Sequence, residues 1–313
     1  MRTERLKIGI VLLVIGLFFG CEKSPPIEDS MLDGDLVFDP SINNPEQYLV
    51  SAKYPNPSPE DIDKHIIIAI HGYTASTFEW SEFQEWSQDS AYRISQVLLG
   101  AHGRTYEEFK ASKWEDWLES VTLEYEQLEA LGYKKISFVG SSAGGALLLE
   151  LARSGYFEEH LAPKNIFLID AVVVPSVKLQ SIAGIVGPML VYSDSGQSEG
   201  EDQFWYHFRP HETINELNEL IKNVRQGLED GFSLPPDTYM KVFHSRYDPS
   251  ANSLSAVLIY KGLTLGNGDK VDVQIMDSDI HVFTRLKLRE PVTPLERSNQ
   301  QDAFRQMAQK LSE

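Results

Sequence analysis

A single cysteine, Cys21, occurs in the 313 residues, so no internal disulfide can form and the fold has to rest on packing and hydrogen bonding. Positive charge is also scarce. Twenty-eight Lys and Arg face 46 Asp and Glu, and the resulting formal net charge of -18 repels polyanions, which excludes a nucleic-acid partner. H-E-x-x-H, C-x-x-C and EF-hand spacings are missing, and no G-x-G-x-x-G follows a strand pattern. Neither a metal nor a nucleotide cofactor is therefore expected. Internal repeats and low-complexity tracts are absent, and no apolar run reaches the roughly 20 residues that cross a bilayer comfortably. What remains is 42% hydrophobic and 24% charged, the composition of an ordinary folded, soluble body.

The first twenty residues differ from that body. Arg2, Arg5 and Lys7 precede an apolar run from Ile8 to Phe19 that ends at Gly20-Cys21, the layout of a secretory signal peptide over residues 1-20. The position of Cys21 resembles a bacterial lipoprotein signal, which implies an exported envelope protein lipidated on Cys21 and attached to a membrane by its acyl chains. Phe18 departs from the leucine usual three residues before that cysteine; Leu17 is the neighbouring leucine. Residues 21-60 carry seven prolines, from Pro25 to Pro59, and read as a tether and an irregular lead-in. Within them, Gly34 to Phe38 and Tyr48 to Lys53 are candidates for short strands.

From residue 61 to 313 the pattern is that of one α/β domain. Ile66 to Ile70 is a continuous β-branched run stopped by His71-Gly72, which suits a strand buried on both faces. Similar runs recur at Ile136 to Val139, Ile166 to Ile169, Tyr239 to Phe243 and Val271 to Ile275. Helical patterns lie between them; Trp114, Trp117, Leu118, Val121, Tyr125, Leu128 and Leu131 form one apolar face, and Gly144 to Ala152 a second, shorter helix. Alternation of this kind predicts a mainly parallel sheet flanked by helices. Residues 175-236 interrupt it and read as an inserted cap, with a helix over Thr213 to Leu228 and a cluster of Phe204, Trp205, Tyr206 and Phe208 that suits the cap's own core better than a ligand wall.

The segment Gly140-Ser141-Ser142-Ala143-Gly144 falls between a strand and a helix and matches the nucleophile elbow G-x-S-x-G in its required context. Its glycines let a strained turn and a close strand-helix approach coexist. Ser142 holds the motif centre, while Ser141 sits beside it. A serine hydroxyl needs a base to take its proton and fixed donors to meet the oxyanion. The backbone N–H groups of Tyr73, after the first buried strand, and of Ala143, at the helix start, are the expected donors. His71 is expected only to shape that loop. Sheets with this elbow run nucleophile, acid, histidine along the chain. His160, His207, His211, His244 and His281 follow Ser142, and His281, just past the last strand, fits the base. Asp248, after the next-to-last strand, is the favoured acid; Asp170, closing the strand after the elbow, remains an alternative.

These motifs resemble the bacterial carboxylesterase and monoacylglycerol lipase branch of the α/β-hydrolases, over Ile66 to about Leu311. Gly100-Ala101-His102-Gly103 followed by Trp114-Glu115-Asp116-Trp117 is similar to that branch's loop and helix before the elbow, and Arg209-Pro210 with the helix through Leu220 and Val224 resembles its cap. The resemblance implies a cofactor-free serine hydrolase acting on esters of short or medium acyl chains, monoacylglycerols among them. Asp279-Ile280 stands where those relatives usually have Ser-Gly before the base, which weakens the transfer of substrate detail. Thioesterase, lactonase, carbon-carbon hydrolase and aminopeptidase chemistry remain open on such a fold, as does a non-catalytic envelope lipoprotein.

Overall fold

A computed structural model describes residues 44-176, 192-194 and 200-313. The expected signal peptide, Cys21 as the expected lipidation site and the candidate strand at Gly34 to Phe38 lie outside the described residues, as do 177-191 and 195-199 of the expected cap.

Six strands form one sheet: β1 (Ile66–Ile70), β2 (Arg93–Val97), β3 (Ile136–Ser141), β4 (Asn165–Ile169), β5 (Tyr239–Ser245) and β6 (Asp272–Met276). All neighbours are parallel, in the order β6-β5-β4-β3-β1-β2. Because side chains alternate along a strand, the apolar runs sort onto two faces. Ile66, Ile68, Ile70, Phe138, Leu168 and Val242 meet helices α1 (Trp114–Ala130), α2 (Ala143–Arg153), α3 (His211–Asp230) and α4 (Leu254–Gly262) on one side. Ile67, Ala69, Val139, Phe167 and Phe243 meet Trp80, Phe83 and the C-terminal helix α5 (Pro294–Leu311) on the other. Burial on both faces is why β1, β3 and β4 read as nearly unbroken apolar runs, while β6, at the sheet edge, leaves Ile275 exposed.

Two differences from the sequence reading share one cause. Tyr48 to Lys53 is not a strand; a 3-10 turn at Pro45–Tyr48 leads into a helical turn at Val50–Lys53. The strand β2 was not anticipated, because its interior holds the polar pair Ser95-Gln96. Both polar side chains are nevertheless buried. Ser95 Oγ accepts the Val50 N–H at 2.9 Å and donates to Glu124 Oε1 at 2.5 Å, while Ser51 donates to the same carboxylate through its N–H and its hydroxyl. A buried polar network thus ties the lead-in to β2 and α1, where periodicity alone would look for an apolar contact.

In the expected cap, α3 extends past Thr213 to Leu228 by two residues at each end. Its buried Leu217, Leu220, Ile221, Val224 and Leu228 join the main core, so this helix belongs to the layer that covers the sheet. Tyr206 is fully buried and stacks on Phe109 with ring centroids 4.2 Å apart, and Phe204 stacks on Phe78 at 3.7 Å. No helix among the described residues is long and apolar enough to cross a membrane.

Helix α2 meets the sheet in close backbone contact. A Cβ on Gly140 would lie 2.7 Å from the backbone of Gly144, and one on Gly144 would lie 2.6 Å from the carbonyl oxygens of Ile70 and His71. Backbone atoms cannot yield there as a flexible side chain would. Gly144→Ala is therefore expected to destabilise the fold by about 1–3 kcal/mol, read from denaturant midpoints at unchanged m-value. A midpoint equal to that of the parent chain would contradict this packing.

Candidate active site

The end of β3 and the start of α2 are joined by Ser142 in a conformation that few side-chain-bearing residues adopt, φ 50° and ψ -116°. Strain of this kind, about 1–3 kcal/mol, persists only where the surroundings over-determine it. Here they do. The Ser142 N–H donates to the Ile169 carbonyl at 3.0 Å, and its own carbonyl accepts from Ala146 and Val172 N–H, both at 3.2 Å. The turn cannot relax without breaking bonds to β4 and to its own helix, and the hydroxyl is held at the C-terminal edge of the sheet.

Two further loops at that edge complete the arrangement. His281, after β6, places Nε2 2.9 Å from Ser142 Oγ and Nδ1 2.7 Å from Asp248 Oδ2. An ionised carboxylate only accepts, so Nδ1 carries the proton and Nε2 is free to accept the serine hydroxyl. Asp248, in the turn after β5, is itself fixed by N–H groups of Ser250 and Ala251, at 2.7 and 2.9 Å from Oδ1. The structure thus brings Ser142, His281 and Asp248 into one hydrogen-bonded chain.

Asp170, the alternative acid, is fully buried and does not contact the imidazole by a hydrogen bond. It accepts N–H groups from Ser245 at 2.6 Å and Phe283 at 3.3 Å, tying the end of β5 to the loop behind His281. Burial, then repulsion from Asp248, pushes its carboxyl above the usual range. The Ser245 hydroxyl lies between the Ile280 carbonyl, at 2.8 Å, and Asp170 Oδ2, at 3.2 Å, adding a third tie to the same loop. For Asp248 burial acts in the same direction, but the His281 charge and hydrogen bond, with the Ala251 and Ser250 N–H groups, outweigh it and hold the carboxyl low. For His281 burial favours the neutral ring, and the Asp248 charge and hydrogen bond, aided by Asp170 and Glu79, overcome it and raise the imidazole.

Of the two donors expected for an oxyanion, Ala143 opens α2, where the N–H has no intrahelical acceptor. The Tyr73 N–H likewise has no acceptor among the described residues. Its ring packs beside Phe109 and Trp117, with the hydroxyl 2.7 Å from Thr213 Oγ1. The preceding Gly72 runs so close to the elbow that a Cβ there would lie 3.1 Å from Ser142 Cβ. His71 braces this loop: Nδ1–H donates to the Gly72 carbonyl at 2.8 Å and Nε2 accepts the Leu99 N–H at 3.1 Å.

The competing side chains point elsewhere. Ser141 is fully buried and donates to Glu79. His244 lies 3.1 Å from the Ala251 carbonyl through Nε2, His160 lies 2.8 Å from Glu129, and His211 meets Asn215 on α3. Asp170, Asp248 and His281 are the one group of potential metal ligands converging among the described residues, within 4.8 Å of one another. Both ring nitrogens of His281 are engaged within the chain just described, which leaves none to bind an ion. Glu79 is the residue that sequence reasoning missed, since Thr77-Phe78-Glu79-Trp80 carries no motif and only the fold brings it behind the elbow.

No family model and no curated protein matches the chain. Solved structures do. A metagenome-derived lipolytic enzyme is 22% identical with a TM-score of 0.60, over 78% of this chain and 94% of its own. The monoglyceride lipase of Saccharomyces cerevisiae is 12% identical with a TM-score of 0.62, over 82% and 88%. The monoacylglycerol lipase of Paleococcus ferrophilus is 9% identical with a TM-score of 0.58, over 80% and 95%. Likeness at this level establishes the fold, and the chain has the α/β-hydrolase fold.

The electrostatics carry a prediction about pH. A base acts while neutral, so kcat/KM for ester turnover is expected to rise with pH through an apparent pKa above the ordinary histidine value of about 6.5. Asp248→Asn should lower that apparent pKa and cut kcat by about 10³- to 10⁴-fold, whereas Asp170→Asn should keep activity within about 10-fold of the parent. The reverse ranking would move the acid to Asp170.

Proposed function

We propose that this chain is a serine hydrolase of carboxylic esters, working through an acyl-enzyme on Ser142 with His281 as base, Asp248 as its orienting acid, and the Tyr73 and Ala143 N–H groups as oxyanion donors. The observation that carries the reading is the pair of hydrogen bonds, Ser142 to His281 at 2.9 Å and His281 to Asp248 at 2.7 Å, at a serine held in a strained elbow. Ser142 Oγ attacks the ester carbonyl carbon as its proton passes to His281 Nε2. The tetrahedral oxyanion takes hydrogen bonds from the two backbone donors, each contributing about 3–4 kcal/mol at the transition state. Collapse expels the alcohol, which leaves with the proton from His281. Water then repeats the sequence on the acyl-enzyme, releasing the acid and restoring the serine. No step calls for a cofactor.

The substrates proposed are esters of short or medium acyl chains, monoacylglycerols included. Support comes from the resemblance of the sequence motifs and from structural neighbours described as lipolytic enzymes and monoacylglycerol lipases. The basic, apolar and cysteine-terminated order of residues 1-21 supports an envelope location with a lipid anchor on Cys21.

A fluorophosphonate probe tests the nucleophile directly. The full-length chain is expected to be labelled once, on the peptide containing Ser142, and Ser142→Ala should abolish labelling and lower p-nitrophenyl butyrate turnover by about 10³-fold or more. Labelling that survives the substitution would place the nucleophile elsewhere.

A further inference from the structure

Glu79 is a buried carboxylate, 5% exposed, in the 3-10 turn Thr77–Trp80, and the catalytic scheme above does not use it. Among the described residues no Lys, Arg or His nitrogen lies within 4.0 Å to form an ion pair with it. An unpaired carboxylate in such a place is costly unless hydrogen bonds compensate, and an apolar side chain would fill the same volume without that cost. Where its hydrogen bonds go is therefore informative. One oxygen, Oε1, takes both: the Gly72 N–H at 2.8 Å and the Ser141 hydroxyl. Gly72 immediately precedes the oxyanion donor Tyr73, and Ser141 immediately precedes the nucleophile.

We infer that Glu79 is a positioning residue that clamps the oxyanion loop to the nucleophile elbow through Oε1, and so sets where the Tyr73 N–H aims. This rests on the hydrolase reading given above. Contact among the three parts is close enough for such a role, since a Cβ on Gly72 would meet Ser142 Cβ at 3.1 Å and both Glu79 carboxylate oxygens at 3.7 Å. The next residues of the loop are tied in other directions: Thr74 N–H meets His102 Nε2 at 3.2 Å, and the Thr74 carbonyl accepts the Tyr206 N–H at 2.9 Å. Toward the elbow, the Gly72 N–H is held by Glu79. An oxyanion donor works over a window of a few tenths of an ångström, about 2.7–3.1 Å, so a loop freed at Gly72 loses transition-state stabilisation more than substrate binding.

The other carboxylate oxygen, Oε2, receives no hydrogen bond among the described residues. Glu79→Gln therefore preserves both bonds, with the amide oxygen at Oε1 and the NH₂ at the free position. The test uses the full-length chain with p-nitrophenyl butyrate and, for each variant, the rate of fluorophosphonate labelling. Glu79→Ala is expected to lower kcat by about 10- to 100-fold with KM changed less than about 3-fold, and Glu79→Gln to recover kcat to within about 5-fold of the parent. Ser141→Ala, which removes one arm of the clamp with little threat to folding, should show a smaller kcat loss of the same kind even if Glu79→Ala fails to fold. Parent-like kcat in Glu79→Ala or in Ser141→Ala would overturn the inference, as would equal losses in the Ala and Gln variants. A parent chain that neither turns over ester nor labels at Ser142 would instead overturn the hydrolase reading, and the clamp with it.

Discussion

How closely one helix can lie against a sheet governs the rest of this molecule. At Gly144 the helix backbone sits so near the carbonyl oxygens of Ile70 and His71 that even a methyl group has no room, and Gly140 allows the same approach from the strand. The chain must therefore reverse within one residue, and Ser142 takes the left-handed conformation that does so. Strain at that residue is offset by its bonds to Ile169, Ala146 and Val172. Parallel strands then bring the loops after β5 and β6 to the same edge, where ligands bind in open sheets of this type. The site is a consequence of topology as much as of side-chain chemistry.

Electrostatics divide the labour among acids of similar type. In a chain with a net charge of -18, three carboxylates, those of Asp248, Asp170 and Glu79, each favour the protonated form of one imidazole. They are not equivalent. Asp248 accepts two backbone N–H groups and the imidazole and stays ionised, whereas Asp170, buried beside it, is driven toward its neutral form. Carboxylates whose environments push their proton affinities apart are placed differently here, one bonded to the His281 imidazole and one bracing the loop behind it.

The parts legible in the sequence were those written in local chemistry. The five apolar runs became strands, four of them buried along nearly their whole length and the fifth, β6, at the sheet edge with Ile275 exposed, and the elbow was readable because its glycines answer a steric need. Chain order then singled out His281 and favoured Asp248, and the structure brings both to Ser142. Illegible were features whose cause is distant along the chain. Strand β2 holds Ser95, whose partners are Val50 and Glu124, and the turn at Val50–Lys53 forms against that network where a strand was a candidate. Glu79 reaches Ser141 across 62 positions, a contact no periodicity encodes. The partners of α3 were likewise illegible, since its apolar face packs against α2 and α4, which lie far away along the chain.

A covalent intermediate is the central claim, and rapid-quench mass spectrometry of the full-length chain mixed with p-nitrophenyl butyrate addresses it most directly. A burst of p-nitrophenol about equal to the enzyme concentration, with a butyryl group mapped to Ser142 in the quenched protein, is the expected result. Turnover without a burst and with no acyl group on Ser142, or with the acyl group on another residue, would contradict it.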